Sequence, residues 1–201
     1  MFSYLAQDIQ DELAQLAQAY HQPLVRTIDL TSDDTFDPLR KKDGRYGEVC
    51  MVVRHTNGRL LTIIKTFYPS GAYRLPTGGI NPGERILNAL LRETVEETGL
   101  QVVVRRFLAA IAYRTKGTGE QPVFYTFAFL LDEVGGKLGA TDVGERIEDF
   151  REIEPDELVT MAQQLSQLEP TASIELDGRL RDWGEFRAVI HRTVWESLLS
   201  G

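Results

Sequence analysis

"TGGINPGERILNALLRETVEETGL", residues 77–100, opens on glycine and proline and carries four glutamates, three of them (Glu93, Glu96 and Glu97) crowded toward its end. Asn81 can cap a helix, Pro82 suits its first position, and Glu84 falls three residues after Asn81, as in a capping box. Gly99 can close the same helix in a left-handed conformation. At about 100° per residue, Ile86, Leu87, Leu90, Leu91 and Thr94 form the apolar stripe. Glu97 projects between Ile86 and Leu90, and Glu93 lies at the same edge. Like charges four residues apart repel by a few tenths of a kcal/mol, and carboxylates turned toward a core lose far more through desolvation. A divalent cation reverses both penalties. Several carboxylate oxygens suit a hard ion such as Mg²⁺, which keeps waters and bridges to substrate phosphates. A solvated acidic face is the ordinary cause of a charge run, but it does not account for the direction of Glu97. Arg92 is placed to pair with a glutamate and orient the cluster.

Outward from this helix, "GEVCMVVRHTNGRLLTIIKTFYP" reads as two strands joined at "HTNGR", where Asn57-Gly58 suits a tight hairpin. On the other side, "LQVVVRRFLAAIAYRT" and "PVFYTFAFLLDE" are strand-like runs rich in branched and aromatic residues, separated by "KGTGEQ". "EPDELVTMAQQLSQL" and "LRDWGEFRAVIHRTVWESLL" then have helical periodicity, and Trp183, Phe186, Ile190 and Val194 make a packing face on the second. At the start, Phe2, Leu5, Ile9, Leu13, Leu16 and Tyr20 recur at spacings of three and four, which predicts an amphipathic helix over 3–20. That stripe exceeds what a capping helix needs and points to docking, with a homodimer as the expected assembly. The polar "TSDDTFDPLRKKDGRYG" marks a junction, so residues 1–44 are expected as a helical extension with its loop and residues 45–201 as the main domain with C-terminal helices. Arg40, Lys41 and Lys42 read as a solvated loop. Strands on both sides of a central helix, followed by more helices, indicate a mixed α/β class.

A chain of 201 residues with 42% hydrophobic residues can bury a full core. Its net charge of −8 argues against nucleic acid or anionic membranes, which are held by an excess of lysine and arginine. Cys50 is the single cysteine, set in an apolar run, so no intramolecular disulfide forms and a reducing compartment is expected. Acidic residues stand where a signal peptide would need an apolar run, and no stretch approaches membrane-spanning length; a soluble, cytoplasmic protein is expected. His21, His55 and His191 are scattered and make neither a triad nor a zinc spacing.

Gly78, then Glu84, then Arg92-Glu93, Glu96-Glu97 and Gly99-Leu100 resemble the Nudix box, G-x5-E-x7-R-E-U-x-E-E-x-G-U with U aliphatic. Seven fixed positions at about 7% each make chance agreement in such a chain roughly one in a million. Thr94 departs from the pattern, standing where an aliphatic residue is preferred, though its methyl group can pack there. The resemblance covers 23 residues and implies an α/β/α sandwich with a mixed sheet. It implies Mg²⁺-dependent hydrolysis, with Mn²⁺ as a substitute, of a phosphoanhydride in a nucleoside diphosphate linked to another moiety. Carried residue by residue, Glu93 and Glu97 become principal metal ligands, Glu96 a further ligand or water-orienting group, and Glu84 and Arg92 a supporting network. The Gly78 carbonyl is a candidate ligand.

One helix seldom surrounds an ion, and the Nudix family often completes its site from a downstream loop. Glu145 is the first candidate and Glu148 the second, both in the acidic "GATDVGERIEDFREIEPDEL". Tyr73, Arg74 and Tyr113, with Arg114, are candidates to stack a base or hold phosphate. Beyond the box there is no proline at the spacing of ADP-ribose hydrolases, and Tyr113 falls short of the tyrosine spacing of diadenosine polyphosphate hydrolases. Two other readings stay open: a Nudix-like module that binds a nucleotide metabolite without cleaving it, and an isomerase, for which Cys50 is the one cysteine candidate.

Overall fold

The computed structural model describes residues 2–30, 44–115, 119–176 and 178–200. Arg40, Lys41, Lys42 and part of "KGTGEQ" lie outside the described residues. In chain order the elements are α1 (Gln7–Ala19), β1 (Leu24–Asp29), β2 (Gly47–Arg54), β3 (Leu60–Lys65), β4 (Thr77–Gly79), α2 (Ile86–Thr98), β5 (Leu100–Arg114) and β6 (Phe124–Gly136). A single 3-10 turn (Val143–Glu145) leads into β7 (Ile147–Ile153), α3 (Glu157–Ser166), the short β8 (Ala172–Ser173) and β9 (Gly178–Arg179), and α4 (Leu180–Leu199).

Among the described residues, seven strands make one sheet in the order β1-β5-β6-β2-β3-β7, with β4 paired to β2 off that path. The sheet is mixed: β1 runs parallel to β5 and β2 to β6, while the other pairs are antiparallel. Strand β2 is buried along nearly its whole length, so it reads as a continuous apolar run rather than an alternation. Its period of two nevertheless divides its side chains between the faces. Val49, Met51 and Val53 join one core with Leu13 and Leu16 of α1 and Ile86 and Leu90 of α2. Cys50 and Val52 join the other, with Leu158 of α3 and Trp183, Phe186 and Ile190 of α4. Helices therefore cover both faces, giving the expected α/β/α layering of an α/β fold.

The apolar stripe of α1 is buried by this chain's own core, Leu13 completely and Phe2, Leu5 and Leu16 nearly so. Segment 2–30 also supplies a strand of the central sheet, β1, which pairs with β5.

The start of α2 also differs from its sequence reading. Gly83 takes a φ of 76°, which breaks any helix running on from Pro82, and Asn81 to Glu84 form a turn in which Asn81 N donates to Glu84 Oε2 at 3.0 Å. The helix begins at Ile86, and its first N–H groups are met from another element: Ile86 N and Leu87 N donate to the buried Glu12 carboxylate of α1 at 3.1 and 3.3 Å. Leu91 is exposed; the buried face is Ile86, Ala89, Leu90, Glu93, Thr94 and Glu97. Thr94 fits that face because its hydroxyl donates back to Leu90 O at 2.7 Å. Gly99 ends the helix in the left-handed region, with φ at 68°.

Candidate active site

Strand β4 and helix α2 meet at Gly78 and Glu93. A Cβ on Gly78 would stand 2.0 Å from Glu93 Cδ, so glycine is what lets the Glu93 side chain lie across the turn. Arg92 then fixes the carboxylates around it. Its Nε and Nη2 grip Glu84 in a two-pronged pair, both at 2.8 Å. Its Nη1 donates to Glu93 Oε1 at 2.8 Å and Glu96 Oε2 at 2.7 Å, and Nη2 also reaches Gly79 O at 3.0 Å. The planar guanidinium thus holds three acids in fixed directions. The hydrogen bonds from Arg92 keep the Glu84 pKa below its ordinary value. Burial pushes Glu93 up, against the hydrogen bond and charge of Arg92.

Glu145, on the 3-10 turn after β6, reaches the same place. Glu93, Glu96 and Glu145 each present an oxygen within 4.8 Å of one another. Glu97 stands behind this trio, fully buried. Its Oε1 lies 2.8 Å from Lys65 Nζ, which also donates to Glu145 Oε2 at 2.7 Å. Burial drives the Glu97 pKa up to about 7, against the charges of Lys65 and Arg74. Burial would likewise raise Glu145, but the hydrogen bond and charge of Lys65 bring it below its ordinary value. Among the described residues, Glu97 Oε2 has no hydrogen-bond donor, and a buried anionic oxygen without one calls for a positive partner. The donor set is all carboxylate oxygen, which fits a hard divalent cation.

Lys65, Arg92, Glu93, Glu96 and Glu145 line one end of a cavity of about 470 Å³, a size typical of small-molecule sites. The other end is aromatic and cationic, with Tyr68, Trp183, Phe186 and Arg187. Arg187 donates to Glu48 Oε1 at 2.7 Å, and Thr126 donates to the same oxygen at 3.0 Å. His191 anchors α4 there. Its Nε2 accepts from Leu75 N at 3.0 Å, which leaves Nδ1 to donate to Arg187 O at 2.7 Å. Burial lowers its pKa to about 4, so the ring is neutral near pH 7.

Of the other sequence candidates, Arg74 alone shares the cavity, but its guanidinium is engaged by Tyr68 Oη, Leu75 O and Thr77 Oγ1. Tyr113 is a core residue, 1% exposed and packed on Phe186. Tyr73 lies outside the cavity lining, with its hydroxyl on Asp149. Arg114 pairs with Asp29 on β1. Glu148 is exposed on β7 and also lies outside the lining. Cys50 is fully buried, and burial pushes its thiol well up, so nothing activates it as the isomerase reading requires. Sequence reasoning missed Lys65, Arg45, Glu48 and Arg187. Lys65 alone carried a signal, the one charged residue of the mostly apolar strand "LLTIIK".

A fan of carboxylates held by one arginine beside a cavity has the donor chemistry that metal-assisted hydrolases use. The family model of the NUDIX domain matches residues 45–173. Nucleoside triphosphatase NudI of Salmonella heidelberg is 31% identical over 126 residues, spanning 60% of this chain and 81% of that protein. Its counterpart in Escherichia fergusonii is 28% identical over 118 residues, spanning 55% and 82%. A solved ADP-ribose pyrophosphatase from Streptococcus suis aligns with a TM-score of 0.46 at 15% identity, covering 76% of this chain and 90% of that one. The chain belongs to the Nudix family of pyrophosphohydrolases. Among the described residues, no helix is long and apolar enough to cross a membrane.

Proposed function

We propose that this protein hydrolyses a phosphoanhydride in a nucleoside diphosphate linked to a further group, with Mg²⁺, or Mn²⁺ in its place, held by Glu93, Glu96 and Glu145. The observation that carries this reading is the convergence of those three carboxylates within 4.8 Å. A cation there would neutralise phosphate oxygens and make water easier to deprotonate. Arg92 keeps Glu93 and Glu96 aimed at it, and Glu84 keeps Arg92 in place. Gly78 gives Glu93 its room beside the site. Glu145, on the loop side of the cavity, takes the proton of the attacking water. Arg45, Lys65 and Arg187 face the cavity and offset the charge of a polyphosphate, while the aromatic end suits a nucleobase or another flat group. The NudI relatives are named nucleoside triphosphatases; a triphosphate is the case in which the further group is phosphate, so one chemistry covers both. The net charge of −8 supports a small nucleotide rather than nucleic acid as the partner.

The test is a product-resolved assay of nucleoside triphosphates and nucleoside diphosphate derivatives with Mg²⁺, with Mn²⁺ and with a chelator. Metal-dependent release of a nucleotide product is expected from at least one substrate. Folded Glu93→Gln should lose turnover by roughly a hundredfold. Glu145→Gln should lower kcat by at least roughly tenfold with KM little changed, as for a group acting mainly in the transition state. Failure of every substrate with either metal, or full turnover in folded Glu93→Gln, sinks the reading.

A further inference from the structure

Lys65 is 9% exposed at the end of β3, and its ammonium bridges two carboxylates of different standing. One is Glu97, wholly buried, 2.8 Å from Nζ. The other is Glu145, which accepts from Nζ at 2.7 Å and also belongs to the trio with Glu93 and Glu96. Glu145 is therefore claimed twice: once by an internal cation, and once by the place where three carboxylate oxygens converge. Without a positive charge between them, Glu97 and Glu145 would repel, and the buried one would carry a large desolvation penalty. A divalent ion held by Glu93, Glu96 and Glu145 would bring two further positive charges to the carboxylate that Lys65 holds. Two cations competing for one carboxylate repel each other, and the compact ammonium on its four-carbon stem is the one free to swing. Lys65 lines the cavity, so a swing away from Glu145 carries Nζ toward whatever anionic group fills that space.

Resting on the proposed metal role of the trio, we propose that Lys65 is a resident counter-ion: it holds Glu145 in place in the metal-free protein and releases it when a divalent cation binds, leaving its ammonium free to meet a phosphate oxygen of the substrate. Lys65 is in this sense a positioning residue, and it makes the site ordered before the metal arrives at the expense of some metal affinity.

The test needs no substrate and so stands apart from which anhydride is cleaved. In protein carrying ¹⁵N-labelled lysine, titration with Mg²⁺ should shift the Lys65 ammonium signal and speed its proton exchange. In calorimetric titration, Lys65→Met should bind Mn²⁺ more tightly by roughly tenfold while melting at a lower temperature without metal. Lys65→Gln provides the same reading if Lys65→Met fails to fold. Lys65→Arg, which keeps the charge, should bind Mn²⁺ within about threefold of the wild type. A Lys65 signal unmoved at saturating Mg²⁺ overturns the inference even if removing the charge tightens binding, because a bystander charge changes affinity without leaving its place. Unchanged or weaker Mn²⁺ binding in both neutral variants also overturns it. If the wild type binds no divalent cation, this inference and the metal reading fall together; if it binds with Lys65 unmoved, the inference alone falls.

Discussion

Glu97 is the residue at which the site's electrostatics are most concentrated. Burial raises its pKa from the ordinary 4.5 to about 7, so between those values the folded protein keeps a proton that the unfolded chain releases. Stability falls with rising pH wherever the native state binds more protons. The contribution of Glu97 is therefore fully present below about pH 4.5 and is lost as pH rises through about 7. Glu84 and Glu145, held low by Arg92 and Lys65, act in the opposite sense, so the signature of Glu97 lies in a difference. In metal-free protein, the stability of the wild type relative to Glu97→Gln should decline from pH 4.5 to 7, read by urea denaturation at each pH. A constant difference across that window would mean that Glu97 does not titrate there. The direction of Glu97 was legible from helical phase alone, since three residues per turn and a fraction place it between Ile86 and Leu90. Its partner Lys65 was not legible, because nothing local links two residues on separate elements.

At the scale of elements, α2 depends on α1. A helix leaves its first N–H groups without partners, and here the Glu12 carboxylate accepts two of them, with its charge at the positive end of the helix dipole. The turn at Gly83 removes Asn81 and Glu84 from the capping role that their spacing suggests. Glu84 is used instead to hold Arg92. Removing the cap as Glu12→Ala should cost about 1–2 kcal/mol, measured by chemical denaturation. Glu12→Gln should cost less, because the amide oxygen still accepts. Because α2 carries Glu93 and Glu96, Glu12→Ala should also weaken Mn²⁺ binding. A loss below about 0.3 kcal/mol would show that water replaces the carboxylate without cost. The same logic explains why Glu12 passed unnoticed in the sequence: it is an ordinary acid on an amphipathic helix until the fold sets it beneath another helix's first turn.

Across the whole molecule, the three layers make the N-terminal segment part of the fold. Phe2, Leu5, Leu13 and Leu16 are each less than a tenth exposed, and burying such side chains contributes about 1.5–3 kcal/mol apiece, a sum comparable to the 5–15 kcal/mol that holds a typical domain folded. A chain lacking residues 1–30 should therefore lose cooperative melting or accumulate insoluble, checked by circular dichroism and soluble yield. A truncated protein melting within a few degrees of the full chain would restore the view of a separate extension. The Nudix box, the strand and helix types around it and the α/β class were all legible in the sequence, because period, turns and a spaced set of charged residues are local properties of the chain. Lys65 against Glu97, Arg187 against Glu48, Glu12 under α2 and the burial of Tyr113 were settled only by tertiary structure. Each depends on which element lies across from which, and that is decided by the packing of both sheet faces at once.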